Sequence, residues 1–339
     1  LMLALLTFAA GSTATAAEYY LWADQGNLSL PDGRTVPVWG FGMDGDKDFS
    51  TTDYTISVPG PRLTVGPNES ALIVHLKNNL PEPISLQILG QHLTNNKGPV
   101  WTAGLSQTVV SKKARPAGDF TARVRSFSHE TPPGGRSVYK WLRFRPGTYL
   151  LQSGTNPAKQ VQMGLYAAVT RDAAAGFAYS GVPYDRELLF LIHDVDPRMN
   201  EAIAAGDYGP RKSITSSALR EPRYFLINGM AYPNPNLRPI VRANAGERLL
   251  IRFLNAGLEI YAPQILGAYM TVWAEEGNRY RYPKERYGFE FAPGKTVDAV
   301  FQPSFNGWYR LYDASLNLTN AGGAQLGGIF SYLAYGTGG

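Results

Sequence analysis

Redox and metal-assisted chemistry draws on imidazoles, thiolates and paired carboxylates, and this chain of 339 residues carries 4 histidines and no cysteine. The histidines are His75, His92, His129 and His193. None stands in His-X-His or at another spacing that delivers two imidazoles to one ion. A copper centre for rapid electron transfer needs a soft thiolate beside its imidazoles, and no thiolate is encoded. His92, which follows the first copy of a repeated tetrapeptide, is the best single candidate for a ligand. His193 lies in Ile192-His193-Asp194-Val195-Asp196, where it could join Asp194 and Asp196 around an oxygen-preferring cation at a strand end. The plainer reading makes each histidine a surface or hydrogen-bonded side chain. No Gly-X-Ser-X-Gly elbow, phosphate loop or His-Glu-X-X-His helix occurs. Glu275-Glu276 reads as a solvated loop pair, and the sequons at Asn27, Asn68 and Asn317 matter only in a glycosylating host.

The elements that must position these residues read as strands. Hydrophobic residues are 44% and charged residues 17%, a globular balance, and 36 Gly with 24 Pro suit many short strands joined by turns. The chain is long enough for two domains with their own cores. Strand-like runs at 19–22 and 36–40 flank a turn at 30–34. Residues 72–77 alternate, with Leu72, Val74 and Leu76 on one face and His75 beside Lys77 on the other. The run 141–145 places Leu142 and Phe144 on one face and Arg143 and Arg145 on the other. Thr131-Pro132-Pro133-Gly134-Gly135 is a turn in which glycine supplies positive φ. Asp196 as N-cap with Pro197 at the first helical position predicts a short helix through 199–205. Residues 206–222 read as a polar loop, and strands resume at 224–229 and continue to Tyr332.

Gln-Ile-Leu-Gly occurs twice, at 87–90 and at 264–267. The first copy ends a stretch containing Pro59-Gly60-Pro61 and Asn78-Asn79-Leu80-Pro81-Glu82-Pro83, and the second follows Asn255-Ala256-Gly257. Two similar units in one chain are the implication. These stretches resemble the multicopper oxidase family, a set of linked cupredoxin domains, over roughly residues 55–335. Where that family carries His-X-His-Gly, this chain has Gln87-Ile88-Leu89-Gly90. Where it carries His-Pro-X-His-X-His-Gly, this chain has Tyr261-Ala262-Pro263-Gln264-Ile265-Leu266-Gly267. Gly-Thr-Tyr-X-X-His-X-His becomes Gly147-Thr148-Tyr149-Leu150-Leu151-Gln152-Ser153-Gly154, and the C-terminal His-Cys-His becomes Tyr312-Asp313-Ala314. The resemblance thus marks Gln87, Leu89, Gln152, Gly154, Tyr261, Gln264, Leu266, Tyr312, Asp313 and Ala314 as former copper-ligand positions. It implies a fold of two tandem Greek-key cupredoxin-like β-sandwich domains. The family's mononuclear and trinuclear copper centres together need a cysteine and about ten histidines, which 4 histidines and no cysteine cannot supply.

Residues 1–17, apolar and then small, resemble the end of a secretory signal peptide. Domain one then covers 18–171, a connector 172–183, and domain two 184–339. No stretch reaches the length of about 20 apolar residues needed to span a bilayer, so the chain reads as exported, to the periplasm or outside the cell. The net charge of +5 is modest. Lys112, Lys113, Arg115, Arg123, Arg125, Arg143 and Arg145 concentrate it between 111 and 145, as a solvated sheet face or as a docking patch for an acidic partner. No nucleic-acid motif accompanies it. The sequence therefore points to a copper-free binding or scaffold subunit without a cofactor, joined to an envelope or extracellular protein and compatible with homo-oligomerisation. The alternatives are a copper-dependent oxidoreductase using other ligands or a partner chain, and an accessory that docks a cytochrome in an extracellular electron-transfer complex.

Overall fold

The computed structural model describes residues 15–104, 108–231 and 239–336. The first unit contains, in chain order, Thr15–Ser29 (β1), Thr35–Met43 (β2), Gly60–Val65 (β3), Glu69–Asn78 (β4), Leu86–Ile88 (β5), Val100–Ala103 (β6), Thr108–Ser111 (β7), Ala122–Ser126 (β8), Arg136–Leu142 (β9), Gly147–Ser153 (β10), the helix Pro157–Met163 (α1) and Tyr166–Arg171 (β11). Its two main sheets run β2-β1-β4-β9 and β3-β11-β10-β5, with β7-β6-β8 as a small separate sheet. A hairpin of Phe177–Tyr179 (β12) and Val182–Pro183 (β13) leads on.

The second unit contains Arg186–Val195 (β14), the helix Pro197–Ala204 (α2), Tyr224–Ile227 (β15), Val241–Ala243 (β16), Leu249–Asn255 (β17), Pro263–Ile265 (β18), Met270–Glu275 (β19), Asn278–Arg286 (β20), Thr296–Phe301 (β21), Gly307–Asp313 (β22), Thr319–Asn320 (β23), Gln325–Leu326 (β24) and Phe330–Tyr335 (β25). A six-stranded sheet, β15-β14-β17-β21-β19-β20, packs on a four-stranded one, β16-β25-β22-β18. Leu72, Val74 and Leu76 fill the first core, as their alternation requires, and Phe190, Phe253 and Leu311 help fill the second. Leu150 and Tyr166 of the first unit meet Leu191, Leu226 and Leu254 of the second in a third core, which joins the sandwiches.

The internal repeat is a repeated hydrogen-bond device. Asn78 Nδ2 donates to the carbonyls of Glu82 and Thr131 at 2.9 and 3.0 Å, and its Oδ1 accepts from Leu80 N at 2.9 Å. Asn255 does the same: Nδ2 donates to Glu259 and Phe291 carbonyls at 2.9 and 2.8 Å, and Oδ1 accepts from Gly257 N at 2.9 Å. Each asparagine therefore ties the end of its strand to the turn that precedes the next sheet strand. Those turns also match, because Gly134 N donates to Asn78 O and Gly294 N to Asn255 O, with φ of 68° and 75°.

The face pattern expected at 141–145 changes. Leu142 is exposed, while Tyr139 and Trp141 form the inward face of β9. Arg143 then adopts φ 58°, which breaks the two-residue period and returns Phe144 to the core. Within the stretch 172–183, Ala178, Tyr179 and Val182 are buried against Leu250. Helix α1 carries a cap-and-proline pair, Asn156-Pro157, like that of α2, although Asn156 sits at φ 40° and makes no side-chain cap bond. Helix α2 agrees with its capping signal: Asp196 accepts from Met199 N at 3.3 Å. Of the leader expected at 1–17, residues 1–14 lie outside the described residues, and 15–17 are the first residues of β1, paired with β4.

Candidate functional site

The first set of positions that the resemblance marks as former ligands sits on and just after β5 and β10. These pair antiparallel with Gln87 directly opposite Gln152. Gly154 follows β10 and is buried. A Cβ there would lie 2.9 Å from Ser85 Oγ and 3.3 Å from both Gln87 Oε1 and Ser128 Oγ, so no side chain fits. A hydroxyl chain occupies the surroundings: Thr155 donates to Ser85 at 3.1 Å, Ser85 pairs with Ser126 at 2.9 Å, and Ser126 donates to Ser128 O at 2.8 Å. Ser128 in turn donates to Leu86 O at 3.0 Å. Hydroxyls and backbone carbonyls satisfy one another here, Glu130 Oε1 lies 3.2 Å from Thr155 Oγ1 with its carboxylate held by Arg125, and such hard oxygen donors suit a soft cation poorly. Leu89 points to the seam between the sandwiches, where it packs against Gly294 and lines a cleft of about 450 Å³.

The second set is arranged in the same register, with Gln264 opposite Tyr312 across β18 and β22. Tyr261 is fully buried and donates to Asp194 Oδ2 at 2.6 Å. Asp313 is also fully buried and accepts from Ala262 N at 2.6 Å and from Asn317 Nδ2 at 2.8 Å. Both acids thus serve as internal hydrogen-bond acceptors. Leu266 and Ala314 face solvent, Leu266 at 51% exposure beside the exposed Tyr269 and Tyr287. Leu266 is thus exposed, whereas the surroundings of Gly154 are closed.

The histidines do not converge. His75 pairs with Glu18 at 2.6 Å and stacks on Tyr20. His129 stacks on Tyr139 and contacts Val138 O at 3.2 Å, and burial holds its imidazole below the ordinary range. His92 is exposed. His193 is buried with neither ring nitrogen hydrogen-bonded, and burial pushes it down to about 3. His193 and Asp194 point to opposite faces of β14, as strand alternation demands. Asp194 caps the 258 loop and Tyr261, its carboxyl raised by burial, while Asp196 caps α2 and accepts from Glu221 N at 2.7 Å. A shared cation site at 193–196 is contradicted by this geometry. Among the described residues, no group of three or more His, Cys, Asp or Glu side chains is placed to hold a metal ion. The residues present do not fit a copper centre.

The basic run of 111–145 divides. Arg125 is bound to Glu130 at 2.5 Å, which removes it from any free patch. Lys112, Lys113, Arg115 and Arg123 lie on or beside the small sheet, and Arg115 and Arg123 donate to carbonyls of their own loop. Arg143 and Arg145 lie in the turn between β9 and β10, where Arg145 reaches Asn278 Oδ1 at 3.3 Å. Sequence reasoning missed the ionic cluster at the seam. Arg252, wholly buried on β17, pairs with Glu187 and Asp172 and donates to Thr148 Oγ1 at 3.1 Å. Thr148 and Tyr179 donate to Asp298, each at 2.5 Å, and Arg62 pairs with Glu187 at 2.6 Å. Burial raises the Asp298 carboxyl, whereas Glu187, despite its burial, is held below the usual range by Arg62 and Arg252. An arginine inside an apolar run, Leu250-Ile251-Arg252-Phe253, was the available signal.

No protein-family model matches the sequence, and no curated protein matches it. Solved structures do match. The blue copper oxidase from Nitrosomonas europaea superposes with a TM-score of 0.70 at 16% identity, covering 95% of this chain and 86% of that one. The multicopper oxidase mgLAC gives 0.69 at 19% identity with the same coverages. The copper nitrite reductase from Nitrosomonas europaea gives 0.65 at 16% identity, covering 95% and 94%. The chain has the fold of these proteins, two tandem cupredoxin-type β-sandwiches.

Proposed function

We propose that this chain is a copper-free relative of the multicopper oxidases that works as a binding or scaffold subunit in an exported assembly. The observation that carries this reading is the rebuilt end of β10. There the Gly154 position is closed by Ser85, Gln87 and Ser128, and Gln87 faces Gln152 in place of paired ligands. The four dispersed histidines support it, since each stands apart from the others. Export to the periplasm or the cell exterior is part of the proposal and rests on the leader-like composition of residues 1–17. The test is to expose the purified chain to excess Cu(II), desalt it, and record its visible spectrum and oxygen consumption with phenolic and metal-ion reductants. No blue or charge-transfer band and no oxygen uptake are expected. Either signal, scaling with protein concentration, would return the chain to the oxidoreductases.

A further inference from the structure

Strand β20 is the outermost strand of the six-stranded sheet and, except for Tyr280, exposed along its length. It carries Arg279, Arg281, Lys284 and Arg286 against one acid, Glu285. Several arginines elsewhere are bound to carboxylates, Arg62 to Glu187, Arg125 to Glu130, Arg186 to Glu247 and Arg248 to Asp185, while others, Arg136 and Arg171 among them, donate to backbone carbonyls. Among the described residues, no carboxylate is within ion-pair distance of any of the four cations of β20. Three are held over aromatic rings instead, Lys284 4.1 Å from the Tyr280 centroid, Arg281 5.5 Å from Tyr282 and Arg279 5.7 Å from Trp273. Such rings orient a cation without neutralising it.

A sheet edge is often blunted by lysine and proline, and Pro283 with Lys284 would satisfy that reading alone. Blunting does not explain the aromatic side chains beside the charges. Tyr282 is 74% and Tyr287 57% exposed. Large amphipathic rings beside unpaired arginines are the composition of a binding surface. The surface is also continuous with both features described above. At one end Arg145 of the first sandwich meets Asn278, and at the other Tyr287 O accepts from Ile265 N beside the exposed Leu266.

We propose that β20 is a docking edge for an extended acidic segment of a partner protein. The β19 ladder skips 280–283, so backbone pairing is confined to the outer edge of 284–286, while the arginines receive the segment's carboxylates and the tyrosines pack on its side chains. A polysaccharide could use the charges but has no backbone to extend the sheet, so a polypeptide is the occupant. This proposal deepens the binding-subunit reading and rests on it.

The experiment titrates fluorescent poly-L-glutamate, which is extended at neutral pH, onto the full chain and follows anisotropy at two salt concentrations. Polygalacturonate of similar charge is the competitor. Poly-L-glutamate is expected to bind, more weakly at higher salt, and to lose at least about tenfold in affinity in the Arg279→Glu/Arg281→Glu variant. Tyr282→Ala weakens binding severalfold, while Lys112→Glu/Lys113→Glu on the small sheet changes little. Absence of binding, equal binding by the Arg279→Glu/Arg281→Glu variant, or preference for polygalacturonate overturns the proposal. Circular dichroism confirms that the variants are folded, which is expected because the side chains changed are exposed. The copper content of the same preparations is measured separately. Failure of docking with no copper bound leaves the copper-free reading standing, and copper uptake would remove that reading whatever the peptide does.

Discussion

At the residue scale, Gly154, one of the positions that the resemblance marks as a former ligand, is tightly enclosed. Its Cβ direction ends among Ser85, Gln87 and Ser128, so Gly154→Ala should destabilise the fold by about 1–3 kcal/mol through overpacking, read as a lowered denaturant midpoint. The Gln87→His/Leu89→His variant should acquire no stoichiometric copper, because Leu89 faces the seam and Gly154 cannot supply a partner; tight binding of one copper would contradict that. His193 gives a second prediction. Its folded-state value is depressed from 6.5 to about 3 by burial. The unfolded chain therefore binds a proton the folded chain refuses, and the stability this group contributes is complete above pH 6.5 and lost as pH falls toward 3. The loss runs at about 1.4 kcal/mol per pH unit within that window. His193→Leu should flatten the acid side of the stability profile, measured by urea unfolding between pH 7 and pH 5. An unchanged slope would mean that the imidazole finds a partner.

At the element scale, the two asparagine devices make the repeat testable. Asn78→Ala and Asn255→Ala each strand one carbonyl and one amide, since Thr131 O and Phe291 O keep their bonds from Ile84 N and Tyr261 N. A loss of about 2–4 kcal/mol is expected for each, with similar size in the two sandwiches; a wide disparity would mean that the turns are held by different forces. Much of this level was legible in the sequence. The alternation at 72–77, the capping signal at Asp196 and the two Gln-Ile-Leu-Gly stretches each depend on local periodicity or spacing, and each agrees with the structure. The inversion at Trp141-Leu142 was not legible, because it depends on a left-handed backbone at Arg143 that no local signal marks. Helix α1 was signalled by Asn156-Pro157, a pair of the same kind as Asp196-Pro197. At the site, the residue types at the positions that the resemblance marks could be read one by one, whereas the exposure of Leu266 and the closure at Gly154 depend on what other strands bring near them.

At the scale of the whole molecule, the seam between the sandwiches is apolar around Leu150 and Leu254 and ionic around Arg252. Sequence reading missed the ionic part because its partners are scattered from Arg62 to Asp298. Arg252→Met should cost about 3–5 kcal/mol, since it leaves Glu187, Asp172 and Asp298 together without their shared cation. Thermal unfolding of that variant should begin at the seam and broaden; a sharp, unshifted transition would show that the apolar contacts alone join the sandwiches. The basic edge at β20 belongs to this scale as well, because its charges are separated from the 111–145 run in sequence yet meet it at Arg145 and Asn278.

The central claim, that a cupredoxin-type fold has been kept while its metal chemistry was rebuilt as packing and hydrogen bonds, is tested most directly by copper content. The chain is purified without chelators, incubated with excess Cu(II), desalted and analysed by elemental mass spectrometry. Copper below about a tenth of an equivalent is the expected result for a donor set of neutral amides, hydroxyls and dispersed imidazoles. Retention of about one equivalent or more would contradict it.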